Sequence, residues 1–211
     1  MLDKRAPAGP AGRGGTAMAR KNTRNTRGRI ISAAWKLFYE QGFEDTTVEE
    51  IILESGTSKG SFYHYFQGKD DLLGSLAYLF DDKYIALSEG IDWDENHFDL
   101  LIFLNRELFD MIENRIDLDL LTRMYSAQLT AKGEKQLLDH NRVYYKLLRK
   151  IMARGQERGE ITTEKTVSEL VRFYAFCERS MLYDWCLYGG EYSLREYAKY
   201  TMPQLLSGIR A

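Results

Sequence analysis

Apolar residues recur every three or four positions through most of this chain, which is the spacing of one buried face of an α-helix. The first predicted helix begins near Arg24 and ends at Gln41, just before Gly42. Pro203 is the only proline after Pro10, so little interrupts the helical pattern. Beyond residue 69, helices are predicted near residues 70–89, 95–114, 117–132, 135–158, 164–188 and 193–209. We therefore expect an all-α protein of about nine helices.

Residues 47–69 predict two short helices joined by a tight turn. Thr47 and Glu50 have the spacing of a capping box at a helix start. Gly56 stands where a left-handed residue would end that helix, and Ser58 can cap the next one. Two short helices around such a turn are typical of a helix-turn-helix DNA-binding unit.

The second of these helices has two distinct faces. Phe62 and Phe66 are four residues apart and share one face, whereas Gly60 and His64 point away from them. We expect the phenylalanines to anchor the helix and the opposite face to contact a partner. Gly60 costs roughly 1 kcal/mol of helix stability relative to alanine, which a close approach of its backbone to that partner would explain.

Charge is unevenly distributed along the chain. Residues 1–29 hold eight lysines or arginines and one acidic residue, although the net charge of the whole chain is −2. A basic cluster without acidic residues attracts phosphate, which supplies most of the sequence-independent affinity for DNA. A basic end on an acidic body therefore fits a protein that presents one end to DNA. The cluster comprises Arg20, Lys21, Arg24, Arg27, Arg29 and Lys36.

Residues 29–73 resemble the DNA-binding domain of the TetR family of bacterial transcriptional regulators. The resemblance implies a three-helix helix-turn-helix DNA-binding domain at residues 20–68 and a helical ligand-binding and dimerisation domain at residues 69–211. Leu53-Glu54 and Thr57 depart from the family pattern, outside the expected contact surface. The motifs that carry it are Ala33-Ala34-x-x-Leu37-Phe38, Gln41-Gly42-Phe43, Thr46-Thr47-Val48-x-x-Ile51, Ser58-Lys59-Gly60-Ser61-Phe62-Tyr63-His64-Tyr65-Phe66 and Lys69-Asp70-Asp71-Leu72-Leu73.

The resemblance also implies a double-stranded DNA operator as partner, palindromic because the protein would bind it as a homodimer. Two reader helices about 34–36 Å apart match one turn of DNA. Contacts to phosphate would position the protein and contacts to base edges would specify sequence. The implied DNA-binding residues are Arg27, Arg29, Thr47, Ser58, Lys59, Gly60, Ser61, Tyr63, His64 and Lys69.

The last two predicted helices carry more apolar and aromatic surface than one face of each helix needs. Two such helices from each of two copies would bury this surface in a four-helix bundle, as the family does. The predicted dimer interface comprises Phe173, Met181, Trp185, Tyr197, Tyr200 and Leu205.

Aromatic residues in the central helices predict an apolar cavity for a small-molecule effector, which the family usually senses in this domain. For any single residue, ordinary core packing remains the simpler interpretation. In the mechanism that the resemblance implies, effector binding shifts the helix that starts near Lys69 and spoils the spacing of the two reader helices. The predicted lining is Tyr78, Phe103, Met124, Tyr125, Tyr144, Phe173 and Phe176.

No cofactor, metal site or membrane contact is expected. Cys177 and Cys186 are nine residues apart on one predicted helix and face opposite sides, so they form neither a disulfide nor a metal pair. His97 and His140 have no partner at ligand spacing, and Asp81 is interpreted as a solvent charge. No apolar run approaches about 18 residues. We expect a cytoplasmic, nucleoid-associated bacterial protein.

Three classes of function follow. The expected one is a sequence-specific DNA-binding transcriptional regulator, a repressor that a small apolar or aromatic ligand releases from its operator. The alternative is a DNA-binding activator or architectural protein that a protein partner controls. An enzyme is the third, and the absence of a convergent set of polar residues speaks against it. Residues 1–19 are expected to form a disordered low-complexity leader, with Met18 as a candidate native start.

Overall fold

The computed structural model describes residues 15–130 and 135–211, with side chains described from residue 26 onward. These ranges contain ten α-helices and two short 3-10 helices, and a single isolated β-bridge joins Ile161 to Arg210. The predicted all-α fold is confirmed. The helices are α1 (Gly15–Gln41), α2 (Val48–Ser55), α3 (Lys59–Tyr65), α4 (Lys69–Leu73), α5 (Leu76–Glu89), α6 (His97–Arg115), α7 (Leu118–Thr130), α8 (Val143–Glu157), α9 (Val167–Leu187) and α10 (Leu194–Leu205), with 3-10 helices at Gln136–Leu138 and Ser207–Ile209.

The chain divides into two compact units, Met1–Lys69 and Asp70–Ala211. The expected leader at residues 1–19 lies outside the described residues except at its end, where α1 already begins at Gly15. In the first unit α1 packs on α2 and α3. Its core contains Ile30, Ala34, Phe38, Ile51, Phe62 and Phe66, all buried.

The helix-turn-helix is held by its own capping groups. The Thr47 side chain accepts a hydrogen bond from the Glu50 N–H, and the Glu50 carboxylate accepts one from the Thr47 N–H at 2.8 Å, so the predicted capping box is formed. Gly56 ends α2 in the left-handed region with φ of 58°. Ser58 then caps α3 by accepting from the Ser61 N–H. The predicted turn is therefore confirmed residue by residue.

In the second unit α6 lies against α5, α8 and α10, while α9 lies against α7, α8 and α10. The apolar faces predicted from helical spacing meet in this interior, which buries much of the unit's apolar side-chain surface. The most deeply buried members include Leu101, Leu104, Met152, Tyr174, Leu194 and Met202.

Two predicted helices are shorter than expected. The helix predicted at 70–89 is two helices, because α4 ends at Leu73 and the Ser75 hydroxyl donates back to the Leu72 carbonyl. The helix predicted at 135–158 begins only at Val143, since the Asp139 carboxylate accepts from the Asn141 N–H and forms a local turn. Short polar side chains compete with the helix for backbone groups in this way.

Asp81 is buried and ion-paired, so its interpretation as a solvent charge is wrong. Arg142 donates to both oxygens of the Asp81 carboxylate, at 3.1 and 3.0 Å, and to the carbonyl of Ala77 at 2.7 Å. The same carboxylate accepts from the backbone N–H of Tyr144 at 3.2 Å. This pair therefore fixes the start of α8 against α5.

A second polar link holds the start of α6. Glu160 accepts from the His97 backbone N–H at 2.8 Å, and the same oxygen lies 2.8 Å from Nδ1 of the buried His97 ring. Arg158 donates to the other carboxylate oxygen at 2.8 Å. These hydrogen bonds, led by the one from the His97 backbone, lower the pKa of Glu160 from 4.5 to about 2. Glu160 therefore serves as a remote cap for α6.

Replacing Glu160 by glutamine is expected to lower the free energy of unfolding at pH 7 by on the order of 1–2 kcal/mol, since the lost bonds are charge-assisted and near solvent. Because the pKa is lower in the folded state, the carboxylate stabilises the protein above about pH 5 and loses this effect as pH falls toward 2. Urea denaturation at pH 7 and pH 3 should show the two proteins converging at low pH. Glu157→Gln, at an exposed position on α8, is the matched control.

Candidate functional site

The exposed face of α3 brings together Lys59, Gly60, Tyr63 and His64, which we call the reader surface. Phe62, fully buried on the other side of the helix, holds this surface outward. The Tyr63 side chain is 48% exposed. An aromatic side chain with so much exposed surface is a candidate for covering by a binding partner. The arrangement offers an amphipathic ring, a cation and an imidazole to a partner.

The reader surface has weak local partners. Lys59 Nζ lies 3.6 Å from the Glu49 carboxylate and 6.0 Å from the centre of the Tyr63 ring, and both charged side chains are largely exposed. Exposed ion pairs of this kind contribute little, so an incoming phosphate can displace Glu49. The Tyr63 ring meets Phe62 edge to face at 5.3 Å, which orients it. Thr47, Ser58 and Ser61 surround this surface at the starts of α2 and α3.

Two of the predicted DNA contacts already bind the protein's own backbone. Arg29 donates through Nε to the Ser55 carbonyl at 3.0 Å and through Nη2 to the carbonyls of Ser55 and Gly56, where α2 ends. Lys69 Nζ donates to the carbonyls of Phe43, Glu44 and Thr46. These cations donate hydrogen bonds to backbone carbonyl groups that have no partner within a helix, because they lie at helix ends and turns. The structure therefore gives Arg29 and Lys69 a positioning role that the sequence did not reveal.

The basic arm is only partly described. Arg27 lies with its guanidinium carbon 5.6 Å from the centre of the Phe66 ring, at the base of the arm. The side chains of Arg20, Lys21 and Arg24 lie outside the described residues, so their expected phosphate contacts stay a prediction.

Among the described residues of the first unit, none requires glycine at position 60. A Cβ added there would meet only Ser58 Oγ, at 4.0 Å. Gly60→Ala is therefore expected to raise the free energy of unfolding by up to about 1 kcal/mol through helix propensity. The same variant should weaken duplex binding at least about tenfold, since the methyl group blocks the backbone's approach to DNA. Urea unfolding and duplex titration test both; unchanged affinity would remove Gly60 from the interface.

The second unit contains a small cavity, the inner cavity, with a volume of about 30 Å³ and a mainly apolar wall into which a few polar side chains are set. That is room for about one water-sized group. Glu178, 3% exposed, accepts hydrogen bonds there from the Tyr144 hydroxyl at 2.6 Å and from Asn105 Nδ2 at 3.0 Å. Burial raises the pKa of Glu178 and outweighs those bonds. The lining is Phe80, Tyr84, Leu108, Tyr125, Leu137, Arg142, Tyr144, Glu178, Arg179 and Leu182.

A larger and more open space adjoins it, the outer cavity, with a volume of about 460 Å³. Tyr125, Leu137 and Arg179 line both cavities and form the partition between them. The other lining residues of the outer cavity are Gln128, Leu129, Lys135, Leu138, Phe176, Ser180 and Tyr183.

Only part of the predicted pocket lies at these cavities. Tyr125 and Tyr144 line the inner cavity, and Tyr125 and Phe176 line the outer one. Four predicted residues line neither cavity, so they are not supported as ligand contacts: Met124 is fully buried in the packing, Phe173 is 39% exposed on the surface of α9, and Tyr78 and Phe103 are partly exposed. The sequence analysis missed Glu178 and Arg179, although Glu178 interrupts an apolar stripe of α9 and could have been noticed there.

Two residues of the predicted dimer interface are buried within their own chain. Met181 and Trp185 are only 4% and 5% exposed within their own chain, and Trp185 Nε1 donates to the Tyr192 carbonyl, so they belong to the core and offer little to a partner. The remaining predicted residues are exposed, as are several aromatic and apolar neighbours. The exposed set on α9, α10 and the turn between them is Phe173, Phe176, Tyr183, Leu187, Tyr188, Tyr197, Tyr200 and Leu205.

Among the described residues, no group of three or more metal-binding side chains comes together. Cys177 and Cys186 are both free thiols. None of the helices between residues 15 and 211, where described, is long and apolar enough to cross a membrane.

Two sequence comparisons relate this chain to known proteins. Residues 30–76 match the family described as "Bacterial regulatory proteins, tetR family". The helix-turn-helix transcriptional regulator YvdT of Bacillus subtilis is 26% identical over 167 residues, which are 73% of this chain and 85% of YvdT.

Two solved structures share the fold. One is Thermus thermophilus FadR, a TetR family transcriptional repressor in complex with lauroyl-CoA, with a TM-score of 0.67, 23% identity and coverage of 86% of this chain and 94% of FadR. The other is FadR of Bacillus subtilis in complex with stearoyl-CoA, with a TM-score of 0.61, 22% identity and coverage of 87% and 99%. The match at residues 30–76 assigns this segment of the chain to the TetR family of bacterial regulatory proteins.

Proposed function

We propose that this chain is a dimeric transcriptional repressor that binds a palindromic operator through its reader surface and releases it when a small ligand occupies the outer cavity. The observation that carries the proposal is the reader surface itself. Exposed Lys59, Gly60, Tyr63 and His64 stand on a helix whose other face is locked into the core by buried phenylalanines. A helix presented in this way fits the major groove of DNA.

Each part of the interface has a separate task. Lys59 and the hydroxyls of Thr47, Ser58 and Ser61 contact phosphates and set the register on the duplex. Gly60, Tyr63 and His64 face the groove, and Arg27 adds attraction from the arm. Arg29 acts indirectly, by holding the turn of the helix-turn-helix through the Gly56 carbonyl, and Lys69 by holding the loop between α1 and α2 through the Phe43 carbonyl.

The exposed aromatic surface of α9 and α10 supports the dimer. A monomer rarely exposes so many large apolar side chains along adjoining helices. A second copy would cover Phe173, Tyr197, Tyr200 and Leu205 and would place two reader helices on one operator. Such a protein acts in the bacterial cytoplasm, associated with the nucleoid.

The outer cavity supports a small apolar or aromatic effector. Its volume of about 460 Å³ lies within the usual range of small-molecule sites, and aromatic and aliphatic side chains form most of its wall. Effector binding then shifts α4, which follows the helix-turn-helix in sequence, and lowers affinity for the operator. Acyl-CoA esters belong among the candidates to screen, since both FadR structures contain one.

Duplex binding tests the proposal directly. The full-length protein is titrated against fluorescent duplexes from the DNA upstream of its own gene, at low and physiological salt. Saturable binding to one duplex over a scrambled one is expected, followed by release with members of a metabolite and drug panel. Failure to bind any duplex at low salt would overturn the proposal. Binding without release by any small molecule would favour control by a protein partner.

A further inference from the structure

The wall of the inner cavity includes two polar side chains, Tyr84 and Glu178, that the binding of a purely apolar ligand would not require. Tyr84 is 1% exposed, lines this cavity, and its hydroxyl is buried without a hydrogen-bond partner among the described residues. Burial raises the pKa of Tyr84, and the nearby Glu178 adds to this through its charge and through a contact that falls short of hydrogen-bond geometry. Buried polar groups are normally hydrogen-bonded, so an unbonded hydroxyl beside a carboxylate calls for an explanation.

We propose that the inner cavity recognises one hydrogen-bond-donating group of the effector, a hydroxyl or a protonated amine, that bonds Glu178 and Tyr84. This deepens the proposed function and rests on it. The closest hydrogen bonds to the Glu178 carboxylate come from Asn105 and Tyr144, one to each oxygen, and the hydroxyls of Tyr84 and Tyr174 lie nearby. A carboxylate oxygen can accept more than one hydrogen bond, so it can also accept one from a ligand. A hydroxyl can donate to that oxygen while it accepts from Tyr84; an ammonium can donate to both.

The charges around the cavity exclude other head groups. Asp81 and Arg142 satisfy each other through two hydrogen bonds, which leaves Glu178 as the carboxylate that faces a ligand. Arg179 stands at the partition, where its Nη1 lies 3.3 Å from the Tyr145 hydroxyl. A carboxylate head would meet the like charge of Glu178. A methyl end would leave Tyr84 unbonded.

The volumes of the two cavities indicate where the rest of the effector lies. About 30 Å³ admits a single polar group and no more. The apolar body therefore lies in the outer cavity, with its head passing between Tyr125, Leu137 and Arg179. An effector of this class is an amphiphile whose polar end enters first.

Four probes that share one body test this assignment: 4-phenylbutylamine, 4-phenyl-1-butanol, 4-phenylbutyrate and butylbenzene. Calorimetric titration of the full-length protein is expected to show the amine or the alcohol binding at least about tenfold more tightly than the other two. A tighter amine identifies an ammonium head, and a tighter alcohol a hydroxyl. Equal or tighter binding of butylbenzene or the carboxylate overturns the inference, as does absence of binding by all four.

Two variants tie the preference to its residues. Tyr84→Phe removes an unbonded buried hydroxyl, so it should raise Tm of the free protein and reduce the preference for the alcohol at least about threefold. Glu178→Gln should reduce the preference for the amine at least about tenfold; if that variant does not fold, Tyr84→Phe decides. A preference that survives in both variants overturns the inference. Duplex binding in the same samples tests the proposed function separately, since a site without head-group preference can still release DNA.

Discussion

Replacing Tyr63 by alanine is expected to weaken operator binding by more than about 100-fold, because in the proposed dimer each protomer would lose a groove contact of about 1–3 kcal/mol. The side chain is 48% exposed and meets the protein mainly through its edge contact with Phe62. Phe62 belongs to the buried core of the first unit, whereas Tyr63 lies at its surface, so the fold should persist. Fluorescence anisotropy at fixed salt measures the affinity, and light scattering after size exclusion measures the dimer.

The first unit offers a matched control for this variant. Tyr39 on α1 is 47% exposed and also lies beside another aromatic ring, with its centre 6.1 Å from that of Trp35. Tyr39→Ala removes the same group with almost the same exposure, and it should change affinity less than about threefold. A comparable loss in both variants would mean that the unit as a whole is destabilised. Dissociation of the Tyr63→Ala dimer would mean that the division into reader and dimer surfaces is wrong.

The helix-turn-helix could be predicted from sequence because its determinants are local. The capping box of Thr47 and Glu50 spans three residues, and the left-handed Gly56 ends the helix that they begin. Phe62 and Phe66 then define the buried face of α3 by their spacing alone. Signals of this kind act within one or two turns of helix, so no knowledge of distant neighbours is needed.

The roles of Arg29 and Lys69 could not be read from the same segment. The acceptors of Arg29 are backbone carbonyls about 26 positions along the chain, and those of Lys69 are 23 to 26 positions away. Every residue carries a carbonyl, so the acceptor leaves no mark in the sequence. A lysine or arginine beside a DNA-binding motif is therefore predicted to contact phosphate, even where it binds a backbone carbonyl of its own chain.

The sequence predicted an apolar cavity but only part of its lining, for a related reason. Helical spacing states which side chains share a face, but it does not say which helix that face meets. Met124 and Tyr125 are neighbours, yet only Tyr125 lines a cavity. Glu178 left a weaker trace, as a charge on the buried stripe that also contains Tyr174 and Met181. Charged residues in such a stripe mark either ion pairs or binding sites.

Asp81 and Arg142 provide the largest stability effect expected in the second unit. Arg142→Met should lower the free energy of unfolding by about 3–5 kcal/mol, because it leaves the Asp81 carboxylate buried without its counter-charge. The variant also removes the bond to the Ala77 carbonyl, which loosens the start of α8 from α5. Urea denaturation followed by circular dichroism at pH 7 measures the loss. Replacing both partners, as Asp81→Asn with Arg142→Met, should recover part of it.

Arg123→Met is the control that separates the effect of the burial of an ion pair from the effect of its N–O distance. Its ion pair with Asp119 is shorter, at 2.6 Å from Nε to Oδ2, but the two side chains are 33% and 60% exposed, against 5% and 9% for Arg142 and Asp81. Exposed pairs four residues apart on a helix contribute about 0.3–0.5 kcal/mol, so this variant should be nearly neutral. Equal losses in the two variants would mean that the Asp81–Arg142 pair is not shielded from solvent. In that case Arg142 would matter through its hydrogen bond to the Ala77 carbonyl and through its packing over the Tyr144 ring, 5.8 Å from its guanidinium carbon.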